Sequence, residues 1–161
     1  MNISDFFVAS TENAFSAEIL RNNFVFRKED FTGKWQGEDN AITIDTVTNQ
    51  PKIVKTLKTV ELDCDPTGAL TGSVSYVVLS GSGHDETGAS TVSDTETVIG
   101  YVDTLTGSFA LVEYGTPLST SETGTFRGAL IGNNFMKILQ TQVRADNVNP
   151  LVSMMNLLKI A

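Results

Sequence analysis

The sequence has little of the chemistry from which metal centres and disulfides are built. Its 161 residues include one cysteine, Cys64, and one histidine, His84. A single thiol excludes a disulfide within the chain, and one cysteine with one histidine cannot complete a closed zinc site. The acidic neighbours Asp63 and Asp65 should raise the pKa of the Cys64 thiol, which disfavours a reactive thiolate. We therefore predict neither a metal ion nor a cofactor, and leave open only calcium held by oxygen ligands.

Positive charge and long apolar stretches are also scarce. Lys and Arg number 11 against 19 Asp and Glu, which gives a net charge of −8. A nucleic-acid partner is not expected, since phosphate backbones are bound by clustered basic residues. No apolar stretch approaches the length of a membrane span. Met1–Ser10 contains Asp5 and no basic residue, unlike a signal peptide, so we expect a cytoplasmic protein.

What the chain does contain is a series of short apolar runs separated by turn residues. Asp65–Gly68 and Gly132–Asn134 have the composition of tight hairpin turns. Long helical patterns are missing between the runs, so a parallel sheet with crossover helices is disfavoured. A bend is expected near Leu57, where the alternation of apolar residues breaks. The predicted strands are Phe31–Gly37, Ala41–Val47, Lys52–Leu62, Ala69–Ser80, Thr95–Val102, Gly107–Tyr114, Glu122–Ile131 and Phe135–Val143.

These strands predict an all-β protein: an antiparallel up-and-down barrel of about eight strands. We predict a single domain over residues 1–161, with a lead-in at 1–30, the barrel at 31–144 and an apolar tail at 145–161. Pro150 followed by Leu151–Ile160 is typical of a short helix that begins at proline, so a C-terminal helix is expected.

Some predicted strands are apolar on both faces. Val77-Val78-Leu79 and Leu130-Ile131 place apolar side chains inside and outside the barrel. The outward set would be Val77, Leu79, Ala129 and Ile131. An exposed apolar surface of this size is rare on a monomer. We expect it to be covered by the tail or by another copy of the chain, which predicts a homo-oligomer.

Two strand starts resemble those of a known group of proteins. Thr32-Gly33-Lys34-Trp35 and Gly68-Ala69-Leu70-Thr71-Gly72-Ser73 resemble strand starts of avidin and streptavidin, and Gly33-x-Trp35 resembles the first-strand signature of lipocalins and the wider calycin group. The resemblance implies an eight-stranded antiparallel barrel with a small molecule in its mouth. Biotin is excluded, because avidin-type sites are walled by several tryptophans and this chain has one. Trp35 is predicted to be buried in the floor of the barrel.

Candidate ligand-binding residues are aromatic or charged side chains on the predicted strands: Trp35, Tyr76, Tyr101, Phe109 and Arg127. Loop His84, beside Asp85 and Glu86, has the chemistry of a metal ligand or general base, but a solvated loop histidine is the favoured interpretation. The pairs Glu38-Asp39 and Asp94/Glu96 are likewise interpreted as exposed turn carboxylates. No set of residues defines a catalytic site, so the sequence favours a non-enzymatic role.

Three hypotheses of function follow. The first is a non-enzymatic calycin-like barrel that binds a small, mostly apolar ligand. The second is a structural or assembly subunit that self-associates through apolar strand faces and termini. The third is a cofactor-free barrel enzyme, such as an isomerase or cyclase. A cavity inside the barrel would separate the first from the second, and a buried charged cluster in it would favour the third.

Overall fold

Eight antiparallel strands close into one barrel, in which each strand pairs with its neighbours in sequence and β8 returns to β1. The structure is a computed structural model, and it describes residues 26–45, 48–80, 93–114, 122–144 and 151–161. A short 3₁₀ turn at Lys28–Phe31 precedes the strands, which are β1 (Gly33–Ile44), β2 (Pro51–Cys64), β3 (Ala69–Ser80), β4 (Ser93–Asp103), β5 (Ser108–Glu113), β6 (Glu122–Ile131), β7 (Phe135–Arg144) and β8 (Leu151–Lys159). The predicted fold class and the calycin-like topology are confirmed, while the division of the chain into domains stays a prediction.

The first two predicted strands are in fact one. Glu38-Asp39-Asn40 lies in the middle of β1, which pairs with β2 along its whole length. The interpretation of Glu38 and Asp39 as turn carboxylates is therefore wrong. Glu38 points outward and forms an ion pair with Lys55 at 2.5 Å, whereas Asp39 points inward and is buried. A polar triplet is compatible with a strand here because both faces of β1 offer polar partners.

The predicted C-terminal helix is also wrong, because Leu151–Lys159 forms the strand that closes the barrel. β8 pairs with β7 on one side and with β1 on the other. Its burial alternates, with Ser153, Met155 and Leu157 inside. Closure satisfies the backbone groups of two strand edges that would otherwise be unpaired, which a helix could not do. Leu151–Lys159 therefore builds the wall of the barrel and does not cover its outer surface.

Local turn chemistry follows the sequence closely. The expected bend near Leu57 is present as a shift of register between Lys55 and Thr56. In the turn between β2 and β3, the Asp65 carboxylate accepts hydrogen bonds from the backbone N–H groups of Thr67 at 2.7 Å and Ala69 at 3.0 Å. Gly68 takes a φ of +93°, which suits a residue without Cβ.

The two ends of the barrel differ in how the strands are connected. At one end, which we call the floor end, the connections are the tight turns 65–68, 104–107 and 132–134. The other end, the mouth end, carries the connections 45–50, 81–92, 114–121 and 145–150, most of which lie outside the described residues. Phe31 is fully buried at the floor end, and its ring meets that of Phe109 edge-on at a centroid distance of 6.3 Å. The floor end is therefore plugged by aromatic packing.

No helix in the described part of the chain has the length and apolar character needed to cross a membrane.

Candidate ligand site inside the barrel

The floor half of the interior is lined by apolar side chains. Every strand contributes, because alternate residues of a strand point to the same side of the sheet. We call this set, together with the plug residue Phe31, the apolar layer: Phe31, Trp35, Val60, Leu62, Leu70, Val74, Val98, Val102, Phe109, Leu111, Phe126, Leu130, Met136, Ile138, Met155 and Leu157. Trp35 is fully buried, as predicted.

Towards the mouth end the lining becomes polar. Five polar or charged side chains are each no more than 4% exposed, and we call them the polar layer: Asp39, Thr56, Lys58, Gln140 and Ser153. They occupy the inward positions of β1, β2, β7 and β8, and the register places Asp39 opposite Thr56 and Gln140 opposite Ser153. Burying this many polar groups requires that they bond to one another.

Asp39 is the centre of one half of the polar layer. The hydroxyl of Thr56 donates to its Oδ1, and the hydroxyl of Ser153 donates to its Oδ2. Both carboxylate oxygens are thus satisfied, and strands β2, β1 and β8 are joined through their side chains. Hydrogen bonds to a charged group contribute about 1.5–3 kcal/mol each, so this part of the layer stabilises the closure of the barrel.

Lys58 is the centre of the other half. Its Nζ donates a hydrogen bond of 2.9 Å to Oε1 of Gln140, which lies across the interior on β7. The same nitrogen lies 4.9 Å from the centroid of the Tyr76 ring. Burial lowers the pKa of Lys58, and the negative charges of Asp39 and Glu96 only partly oppose that shift. The neutral amine is therefore more accessible here than it is for a lysine in water.

Trp35 carries a polar atom that the described residues leave unsatisfied. Within the described part of the chain, its buried Nε1 has no hydrogen-bond acceptor. Lys159 lies over the face of the ring, with Nζ 5.0 Å from its centroid, and donates to the backbone oxygen of Thr32 at 2.9 Å. A buried donor without an acceptor costs about 1–3 kcal/mol, so an acceptor that reached this nitrogen would bind favourably.

The structure places three of the five ligand-binding candidates predicted from sequence on the inward face of the barrel. Trp35 and Phe109 belong to the apolar layer, and Tyr76 lies half-buried beside Lys58. The other two lie on the outer face: Tyr101 is 61% exposed and its hydroxyl donates to the backbone oxygen of Thr67, and Arg127 is exposed on β6. Whether any of the five contacts a ligand stays a prediction.

Sequence reasoning missed Thr56, Lys58, Gln140 and Ser153. It misassigned Asp39, and also Glu96, which is half-buried within β4 and is not an exposed turn residue. A signal was available for Lys58, since it shares its side of β2 with Thr56, Val60 and Leu62. His84, Asp85, Glu86 and the side chain of Asp94 lie outside the described residues. In the described part of the chain, no cluster of three metal-ligating side chains forms.

Cys64 lies away from the polar layer, at the floor end of β2. Burial raises the pKa of its thiol, and the charge of Asp65 adds to the shift. The expectation from the sequence is confirmed in direction, although burial contributes more than the neighbouring charges.

An open groove of about 490 Å³ lies on the outer face at the floor end. Its lining includes the exposed side chains of Glu61, Asp63 and Thr71, and it ends at the C-terminal Ala161. None of the polar-layer residues lines this groove. Since its charged side chains are already in contact with water, it has no desolvated group with which to recognise a ligand, and the interior is the stronger candidate site.

No family model matches the chain, and none of the curated proteins compared with it matches either. It is similar to a protein of unknown function of the DUF3598 family from Nostoc punctiforme, with 16% identity, a TM-score of 0.46 and 84% of this chain covered. The chain spans 50% of that structure. It is also similar to the S-type phycobiliprotein lyase CPES from Guillardia theta, with 8% identity, a TM-score of 0.49, and 83% of this chain and 90% of that one covered. At such low similarity, the calycin-like topology rests on the closed eight-stranded barrel itself.

Proposed function

We propose that this protein is a non-enzymatic, calycin-like barrel that binds a small, mostly apolar molecule in its interior. The observation that carries the proposal is the polar layer above the apolar layer, on the inward faces of the same strands. Ligand sites of this kind are mainly apolar, with a few polar groups that orient the ligand. The matching ligand has an apolar body and one polar end.

The donors and charges inside the barrel limit which polar group the ligand can carry at that end. Lys58 Nζ and Trp35 Nε1 are both hydrogen-bond donors, and Trp35 has no acceptor among the described residues. The charges of Asp39 and Glu96 act on Lys58 and would repel a carboxylate. The favoured polar end is therefore a neutral oxygen acceptor, such as a carbonyl or an alcohol. We propose that the ligand contacts Trp35, Tyr76 and Phe109. We also propose a cytoplasmic location for the protein.

The test uses para-butylbenzyl alcohol, which has an apolar body and one neutral oxygen. Binding is measured by equilibrium dialysis and by the emission of Trp35, the only tryptophan in the chain. We expect saturable binding of one molecule per chain with a change in emission. No saturable binding would overturn the proposal.

Two neighbouring residues of β3 provide a matched control. Val78 is half-buried and pairs with the buried Thr56, whereas Leu79 is 44% exposed on the outer face. Val78→Phe fills the interior and should weaken binding at least about tenfold, which corresponds to about 1.4 kcal/mol. Leu79→Phe adds the same ring outside and should leave binding unchanged. Loss of binding in Leu79→Phe alone would place the probe on the outer surface and refute an interior site.

A second candidate function, a self-associating subunit, is favoured by the outer face at the barrel seam. Ile42 on β1 pairs with Ile53 on β2 and with Val152 on β8, and Met154 follows on β8. These four residues, which we call the seam patch, are between 45% and 62% exposed. We propose that a second copy of the chain covers them, since isologous dimers are the commonest way to bury such a surface.

Sedimentation equilibrium tests this second candidate. The double variant Ile53→Lys/Met154→Lys should dissociate the oligomer, because it places charges in the seam patch. The control Thr97→Lys/Ala110→Lys adds two charges at exposed outward positions of β4 and β5 and should not. Truncation before Leu151 is not a suitable test, because it would remove β8 from the barrel. A monomeric wild-type chain at micromolar concentration would refute self-association.

A further inference from the structure

The buried amine of Lys58 can do more than orient a ligand, because an amine can also form a covalent bond with one. Resting on the proposed function, we propose that Lys58 captures carbonyl ligands: its amine forms an imine with a small, apolar aldehyde or ketone held in the barrel. The site would thus bind carbonyl compounds covalently and reversibly, and the corresponding alcohols only by non-covalent contacts.

The placement of the nitrogen supports this reaction. Lys58 is 3% exposed, and its Nζ sits between the Gln140 amide oxygen and the ring of Tyr76. A neutral amine has two N–H donors and one lone pair, so donation to Gln140 leaves the lone pair available for attack. Removal from water lowers the pKa of Lys58 and so raises the share of this neutral form, which is the nucleophilic one.

The groups facing Lys58 come from four other strands. Asp39 on β1 and Glu96 on β4 act on its charge, Tyr76 on β3 lies against it, and Gln140 on β7 accepts its hydrogen bond. The two carboxylates would stabilise a protonated imine by Coulomb attraction. The apolar layer lies next to this site and would hold the body of the ligand, so that its carbonyl group stops at the level of the amine.

The reaction balances without any further reagent. The amine nitrogen attacks the carbonyl carbon, and one proton moves from nitrogen to the carbonyl oxygen to give a carbinolamine. A C–O bond then breaks, the hydroxyl group leaves as water with the second amine proton, and a C=N bond forms. One water molecule is released for each imine, and hydrolysis reverses the reaction.

Among the lysines that the structure describes, Lys58 alone is buried. Lys34 and Lys55 lie in partly exposed ion pairs with Glu61 and Glu38. Lys58 takes no part in the ion pairs that join described residues. Lys137 is exposed on the outer face of β7, which makes it a suitable comparison.

The test incubates the full chain at pH 7 with para-butylbenzaldehyde and cyanoborohydride, which reduces an imine to a stable secondary amine. Intact mass and peptide mapping then count and locate the adducts. We expect one adduct per chain, on Lys58, because each unit by which a lysine pKa is lowered raises its free-amine fraction about tenfold. Lys58→Arg, which cannot form an imine, should reduce labelling about tenfold. Lys137→Arg should leave it unchanged.

Two further measurements separate this proposal from the one on which it rests. Para-butylbenzyl alcohol should bind wild type and Lys137→Arg alike, and in the wild type an excess of the alcohol should suppress labelling of Lys58. If the alcohol binds but the adducts spread evenly over the lysines, imine capture is refuted and the binding barrel stands. If neither compound binds, both proposals fail. If Lys58→Arg does not fold by circular dichroism, competition by the alcohol in the wild type decides, and labelling that the alcohol does not suppress refutes capture in the barrel.

Discussion

The floor half and the mouth half of the barrel interior are built by the same strands and yet have opposite character. β2 illustrates the contrast: Val60 and Leu62 belong to the apolar layer, while Thr56 and Lys58, on the same face of the same strand, belong to the polar layer. Val60 and Leu62 are held by apolar packing. Thr56 and Lys58 need specific hydrogen-bond partners, because they are polar and buried. The floor half is held together by apolar packing, and the mouth half by hydrogen bonds among buried polar side chains.

The largest expected effect comes from removing a ring from the apolar layer. Phe126 is fully buried, so Phe126→Ala should lower the free energy of unfolding by about 3–5 kcal/mol through lost burial and a residual cavity. Urea denaturation followed by Trp35 emission measures it. The adjacent Arg127→Ala, on the exposed face, should change stability by no more than about 0.5 kcal/mol. Equal losses in both variants would contradict the assignment of the floor half as the stabilising core.

The next effect concerns the polar layer. Asp39→Ala leaves the buried hydroxyls of Thr56 and Ser153 without their acceptor and should cost about 1–3 kcal/mol. Asp39→Asn keeps one oxygen acceptor and should recover part of the loss. Both are measured by thermal and urea unfolding. If Asp39→Ala were neutral, the hydroxyls would have to bond elsewhere, and the polar layer would not stabilise the barrel closure.

A smaller effect is the pH dependence caused by Lys58. Its pKa in the folded protein lies below the unfolded value of 10.5, so folding releases a proton at any pH between the two values. The free energy of unfolding of the wild type should therefore rise with pH through this interval relative to Lys58→Met, by about 1.4 kcal/mol for each unit of pKa shift. Other titrating groups, Cys64 included, cancel in the difference. Parallel pH profiles for the two proteins would show that Lys58 is not desolvated.

The smallest effect concerns Cys64. Burial raises the pKa of its thiol, whereas it lowers the pKa of the Lys58 amine. Because the pKa of its thiol is raised above 9.0 in the folded protein, alkylation by iodoacetamide at pH 8 should be slower than in the unfolded chain. Asp65→Asn should speed the reaction more than Asp63→Asn, since Asp65 raises the pKa more strongly. Equal rates for all three folded proteins would contradict a role for these charges.

Local features of the barrel were predictable because their causes are local. The Asp65–Gly68 turn and the bend beside Leu57 follow from the preferences of a few consecutive residues. The C-terminal strand was not predictable in this way, because Leu151–Lys159 is apolar on both faces and shows no period of two in its sequence. Only the pairing with β7 and β1 makes it a strand.

By itself, the sequence determined the class of the protein: short alternating runs and tight turns specify an antiparallel barrel. Only the tertiary structure decided which charged side chains point into the barrel. Lys58 and Gln140 are 82 positions apart and meet only because the closed barrel brings β2 and β7 face to face across its interior. Asp39, which in the sequence belongs to a polar triplet typical of turns, becomes a buried acceptor because β1 continues through it. Burial and long-range pairing depend on closure, and closure is a property of all eight strands together.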